Sequence, residues 1–132
     1  MTPVTNDSPG TLDQRRARSA WDAIQRVKAD RSQAKKFGGQ AKKLPTRIMA
    51  SGLGQALAFL KAKGYADGLL AELSKWIEDR LPQKPGESND LLQRIVKGNS
   101  DFLRRATDEV MAYLLWLNRF AEAEGLTDEE DE

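Results

Sequence analysis

The residues of this chain with the clearest chemical potential are its cations. Residues 11–50 hold eleven Lys and Arg against three Asp: Arg15, Arg16, Arg18, Arg26, Lys28, Arg31, Lys35, Lys36, Lys42, Lys43 and Arg47. Residues 122–132 carry seven acids and no base, so the net charge of +1 conceals a charge dipole. Cations at this density attract polyanions, RNA or DNA above all, by steering and by release of condensed counterions. The same pattern also fits a solvated helix face joined to a flexible loop, and charge alone leaves both readings open. Residues 127–132 offer nothing to bury and read as a disordered acidic tail, and deleting residues 126–132 is expected to leave the melting of the domain unchanged.

Other chemistry is scarce. Among 132 residues there is no Cys and no His, which removes disulfides, thiolate nucleophiles, Cys/His zinc sites and imidazole acid-base catalysis. Hydrolysis by paired carboxylates needs two acids converging in a cleft, whereas these are scattered or gathered in the tail. Asp108 and Glu109 are adjacent and diverge by about 100° on a helix, so they do not share a metal easily. Gly52 and Gly54 lie inside a helical pattern with no preceding strand and no Gly-Lys-Ser/Thr, which excludes a phosphate-binding loop. The expectation is a protein that is not an enzyme, with no catalytic residue, metal or cofactor. An enzyme would require a carboxylate cluster that only folding brings together.

The elements that position the cations follow from periodicity. Thr11-Leu12-Asp13-Gln14 fits a capping box, so a first helix starts at Leu12 and runs to about Arg31 on the stripe Ala17, Ala20, Trp21, Ile24 and Val27. Between Ser32 and Leu44, Gln33-Ala34-Lys35-Lys36 is echoed by Gln40-Ala41-Lys42-Lys43 across Phe37-Gly38-Gly39. The glycine pair breaks helices, which predicts a mobile basic loop at 32–44. Pro45 suits the first turn of a second helix, carried by Ile48, Met49, Gly52, Leu53, Ala56, Leu57 and Leu60 and stopped at Gly64. Arg47, Ser51, Gly54, Ala58 and Lys61 then share its outer stripe, three small residues between two cations. Either another backbone approaches there or the stripe packs on a helix of the same chain.

Leu69, Leu70, Leu73, Trp76 and Ile77 mark a third helix before Pro82, and Leu91, Leu92, Ile95 and Val96 a short fourth. Ser100 is placed to cap a fifth, whose seam from Leu103 to Ala121 makes it the longest. Nothing alternates with period two. The predicted fold is all-α: a compact single domain of about five helices with a long C-terminal helix, occupying 11–125 between a flexible stretch at 1–10 and the tail at 126–132. Trp21, Leu53, Leu57, Trp76 and Leu117 are expected in its core, and Phe59 with them. No basic start followed by an apolar stretch and no apolar run near 18 residues is present, which predicts a cytoplasmic protein without membrane contact.

Three segments together resemble a known family. They are Arg16-Ala17-Arg18-Ser19-Ala20-Trp21, then Leu44-Pro45-Thr46-Arg47-Ile48-Met49-Ala50-Ser51-Gly52-Leu53-Gly54-Gln55-Ala56-Leu57-Ala58-Phe59-Leu60, and then Ala106-Thr107-Asp108-Glu109-Val110 with Leu115-Trp116-Leu117-Asn118-Arg119-Phe120-Ala121. In order over residues 12–124 they resemble the small-subunit family of the type III-B CRISPR effector, the Cmr RNA-silencing complex. Leu103 stands where an aromatic residue is common, and the lysine segment and acidic tail lie outside the pattern. The resemblance implies a compact helical subunit without catalytic activity, stacking in several copies beside the subunits that hold guide RNA. Its implied partners are the other Cmr subunits, further copies of itself, and guide or target RNA. A subunit following RNA without reading its sequence needs cations aimed at phosphates, and Arg16, Arg18, Lys42, Lys43, Arg47 and Lys61 are the candidates. The alternative is a purely structural protein-interaction subunit whose basic face docks an acidic neighbour.

Overall fold

The structure, a computed structural model, describes residues 10–64 and 67–127, apart from the Asp67 side chain. The expectations for residues 1–9 and 128–132 lie outside these residues. Six helices form the described fold: α1 (Leu12–Val27), α2 (Arg31–Ser51), α3 (Leu53–Lys63), α4 (Asp67–Arg80), α5 (Leu91–Lys97) and α6 (Ser100–Ala123). There is no strand among the described residues, so the chain is all-α with a long C-terminal helix, as its periodicity predicts. At 24 residues α6 spans about 36 Å and lies mainly along α1, with α2 beside it. None of these helices is long and apolar enough to cross a membrane.

α1 begins where the capping box requires. The Gln14 amide donates to Thr11 Oγ1 at 3.0 Å and the Thr11 amide to Gln14 Oε1 at 2.8 Å. Its apolar stripe buries Ala20, Ala23 and Ile24. Trp21, expected in the core, is instead 44% exposed, its ring edge-on to Phe120 with centroids 5.3 Å apart. One residue beyond Ala20 turns it about 100° around the helix, to the margin of the stripe. Leu53, Leu57, Trp76 and Leu117 are buried, as expected.

The largest correction concerns the segment 32–44, which is helix and not loop. Asp30 caps it, accepting from the Gln33 amide at 3.3 Å. The seven-residue repeat is the register of this helix. Ala34, Phe37, Ala41, Leu44 and Ile48 fall at alternating steps of three and four residues, and all five are buried. A mid-helix glycine costs about 1 kcal/mol relative to alanine, and here packing demands one. A Cβ on Gly38 would fall on the Leu126 carbonyl, 2.9 Å from its carbon. Leu126 itself is fully buried, and its amide donates to Ala121 O at 2.8 Å. The core therefore extends past residue 125, which corrects the expectation that residues 126–132 can be deleted without loss of stability: removing Leu126 would open the core against Gly38.

Pro45 stands deep inside α2 rather than in a first turn. Proline has no amide hydrogen, so the Ala41 carbonyl four residues earlier loses its helical donor. Asn118 Nδ2, on α6, donates to that oxygen at 3.0 Å. The repair predicts that Asn118→Leu leaves a partly buried carbonyl unsatisfied and lowers stability by about 1 to 3 kcal/mol. Urea unfolding of the variant checks this, and loss of the effect in an Asn118→Leu, Pro45→Ala double variant identifies the carbonyl as the cause.

Gly52 divides what the apolar pattern reads as one second helix. Its φ of 87° and ψ of 161° turn the chain between α2 and α3, and its amide still donates to Ile48 O at 2.7 Å. A side chain would strain this positive φ. The stripe from Arg47 to Lys61 is therefore not continuous. Gly54 faces inward on the domain, where an added Cβ would touch Ile95 of α5 at 3.4 Å, so the small residue serves packing within the chain. At the start of α6 the cap is Asn99 rather than Ser100, with Asn99 Oδ1 accepting from the Phe102 amide at 2.9 Å.

Candidate nucleic-acid interface

The ionic groups sort into those the core consumes and those that face outward. Glu109, on the inner side of α6 and 6% exposed, is the centre of the first set. It accepts from Arg16 Nε at 2.6 Å and Nη2 at 3.1 Å, from Trp76 Nε1 at 2.9 Å and from Arg80 Nε at 3.3 Å. Burial opposes ionisation of this carboxyl, but the hydrogen bonds from Arg16 and Trp76 and the charges of Arg16 and Arg80 outweigh it, and its pKa falls below the ordinary value. Arg16 correspondingly shifts up, chiefly through its hydrogen bond to Glu109. Asp108 is exposed one position away, so the two acids diverge as helix geometry requires. Above the cluster the Trp76 ring stacks on Tyr113 at 5.5 Å, and burial pushes the Tyr113 hydroxyl up to about 12. Sequence reasoning missed this hub because its four members come from α1, α4 and α6. An acid interrupting the Ala106-to-Val110 stretch of an apolar seam was the available signal.

Arg16 thus turns inward: its side chain is 18% exposed and also meets Asp13 at 3.2 Å. Most of its guanidinium is therefore engaged by Glu109 and Asp13 within the chain. Arg18 is exposed at a groove between α1 and α4 that also holds Arg15, Asp22, Lys75 and Asp79. Lys61 lines a different groove, with Leu70, Ser74, Lys75, Glu78 and Asp90. Arg47 belongs to a third, with Ser51, Gln55 and Phe59. Arg47 and Lys61 therefore do not share a stripe, because Gly52 turns the chain between them. Of the six candidates, Lys42, Lys43 and Arg47 lie on α2, Arg16 and Arg18 on α1, and Lys61 on α3.

Helicity of α2 creates the arrangement that a loop would have scattered. Residues seven apart return to within about 20° of the same direction, so Lys35 and Lys42 form one row and Lys36 and Lys43 another, each spanning about 10 Å. Lys35, Lys36 and Lys42 are exposed and Lys43 is half-buried. Arg47 continues the second row one turn further. Its Nη1 donates to Gln40 Oε1 at 2.7 Å, and its guanidinium lies over the Phe59 ring at 4.6 Å. Lys63 Nζ approaches the same ring at 5.3 Å. Phe59, expected in the core, is 40% exposed and serves as the platform between two cations.

The described residues make this a small all-α protein, its buried carboxylate tied into its own core and Lys35, Lys36, Lys42 and Lys43 aligned along the outer side of α2. Comparison with protein families is specific: the model of the family described as CRISPR-associated protein (Cas_Cmr5) matches residues 12–124. The chain belongs to this family, the small subunit of the type III-B Cmr complex, and so is a Cmr complex subunit of CRISPR defence that associates with other subunits of that complex.

Proposed function

We propose that this chain is a non-catalytic, cytoplasmic subunit that stacks in several copies in the Cmr ribonucleoprotein and holds guide or target RNA by its backbone. The paired lysine rows of α2, extended by Arg47, carry this reading. Ammonium groups on long stems meet phosphates without selecting bases, and the specificity comes from guide pairing. Lys42, Lys43 and Arg47 are the contacts retained from the sequence, joined by Lys35 and Lys36. Arg18 and Lys61 stand on other grooves as secondary contacts, and Arg16 acts only by holding α1 to α6.

One subunit neutralising about two to four phosphates gives a log affinity against log salt slope of roughly −1.4 to −2.8 on single strands, so one copy binds weakly and an array binds well. Lys42→Ala with Lys43→Ala should reduce the magnitude of that slope by about 1.4 and weaken RNA binding by the assembled complex equally for every sequence tested. Filter binding across a salt series measures both. A loss confined to certain sequences would indicate base readout. Intact RNA binding with failed assembly would favour the reading in which the basic face docks an acidic neighbouring subunit.

A further inference from the structure

A cavity of about 390 Å³ opens between the loop that follows α4 and the junction of α5 with α6. None of its lining residues is on α2, so it stands apart from the RNA-backbone face proposed above. Lys84 of the loop and Arg94 and Lys97 of α5 bring three cations to its wall. No ion pair among the described residues takes up any of them. Glu87 is the acid on the same wall, and the loop itself engages it: Oε1 accepts from the Lys84 amide at 2.8 Å, and the Glu87 amide donates to Lys84 O at 3.0 Å. The wall is therefore left with an excess of positive charge.

The half-buried Arg94 places its guanidinium over the Phe102 ring at the start of α6, with Cζ 4.5 Å from the centroid. Gly98 makes this approach possible, since a Cβ there would fall 2.6 Å from Arg94 O and 3.2 Å from the Phe102 ring. Arg94 Nη1 is shut off from water and has no hydrogen-bond partner among the described residues. A covered charged donor without an acceptor is costly, and a ligand oxyanion relieves it when the guanidinium turns its edge to the cavity.

We propose that this cavity is a nucleotide site, with the base against the Arg94 and Phe102 pair and the phosphate between Lys84, Arg94 and Lys97. Its volume falls within the range of pockets that take small molecules. A planar base suits a stacked guanidinium and phenyl ring, and a phosphate suits converging cations. A simple anion would use the cations alone and leave the aromatic wall in water. The shared chemistry is a nucleoside 5′-phosphate, either free or as the end of a strand. The site stands whether or not α2 holds RNA.

Titrating the full chain with AMP, adenosine and inorganic phosphate, followed by calorimetry and by backbone amide shifts in NMR, tests the site. AMP should bind with a Kd of about 1 mM or tighter and shift the amides of Arg94, Lys97, Gly98 and Phe102. Adenosine and phosphate each make only part of the contacts and should bind at least about tenfold more weakly. Lys84→Ala with Lys97→Ala should weaken AMP by about tenfold while the shifts caused by adenosine persist. Phe102→Leu, checked for folding by circular dichroism, should weaken AMP at least about fivefold and leave phosphate binding unchanged. Tighter binding of a 5′-phosphorylated adenylate trimer than of AMP, with the same amides shifted, would assign the site to a strand end, and equal or weaker binding to the free nucleotide. Absence of shifts with AMP at about 10 mM, phosphate binding as tight as that of AMP, or AMP shifts confined to α2 would each overturn the proposal.

Discussion

Replacing Glu109 by Ala is expected to lower stability by about 3 to 5 kcal/mol, the cost of breaking a buried ion pair from one side. Arg16 and Arg80 would lose their shared carboxylate and Trp76 Nε1 its acceptor, at the meeting point of α1, α4 and α6. Glu109→Gln keeps the volume and one acceptor and should cost less. The pH dependence has a definite sign. The folded-state pKa of Glu109 is depressed below its ordinary value of 4.5, so the native state binds the proton less readily than the unfolded chain. Its contribution is fully present above that ordinary value and is lost as pH falls through the depressed one. Urea unfolding between pH 7 and pH 3 should therefore show an acid loss of stability in the parent that is reduced in Glu109→Gln. Equal acid sensitivity in both proteins would show that other carboxylates dominate.

Leu57→Ala is the second large effect. Leu57 is fully buried on α3, beside Leu53 and Leu60 of the same face. The change removes apolar transfer energy and leaves a cavity that close-packed helices close only in part, at about 2 to 5 kcal/mol. Thermal melting should fall by many degrees, and any weakening of RNA binding should appear only where the domain unfolds. A variant with unchanged melting that has lost RNA binding would place Leu57 in a site rather than in the core.

The candidate interface was only half legible in the sequence. Lys42, Lys43 and Arg47 could be chosen from charge and spacing, and the seven-residue repeat that aligns them was visible. Its meaning was hidden by Gly38-Gly39, which locally argue for a loop, and by Pro45, which locally argues for a helix start. Arg16 could not be told from Arg18 by sequence, since both fall in the same cationic run. What separates them is a carboxylate 93 residues away. Phe59 was misassigned because the Gly52 turn, which sets the face α3 presents, depends on backbone geometry that an apolar stripe does not encode.

The sequence alone determined the all-α class, the capping box of α1, the long α6, the absence of thiol and imidazole chemistry, the separation of basic and acidic ends, and the pattern that marks the family. These properties are compositional or depend on groups a few residues apart, where helical hydrogen bonding and apolar periodicity operate. Tertiary structure alone decided that α2 is continuous, which cations are withdrawn into the core, and where one helix becomes two. The missing amide of Pro45 is compensated by Asn118, 77 residues beyond Ala41, and the bare backbone of Gly38 is filled by Leu126. A local conflict in the sequence is resolved only when folding delivers the distant group that satisfies it, because an unsatisfied carbonyl or an empty contact has the same local signature whether or not its partner exists.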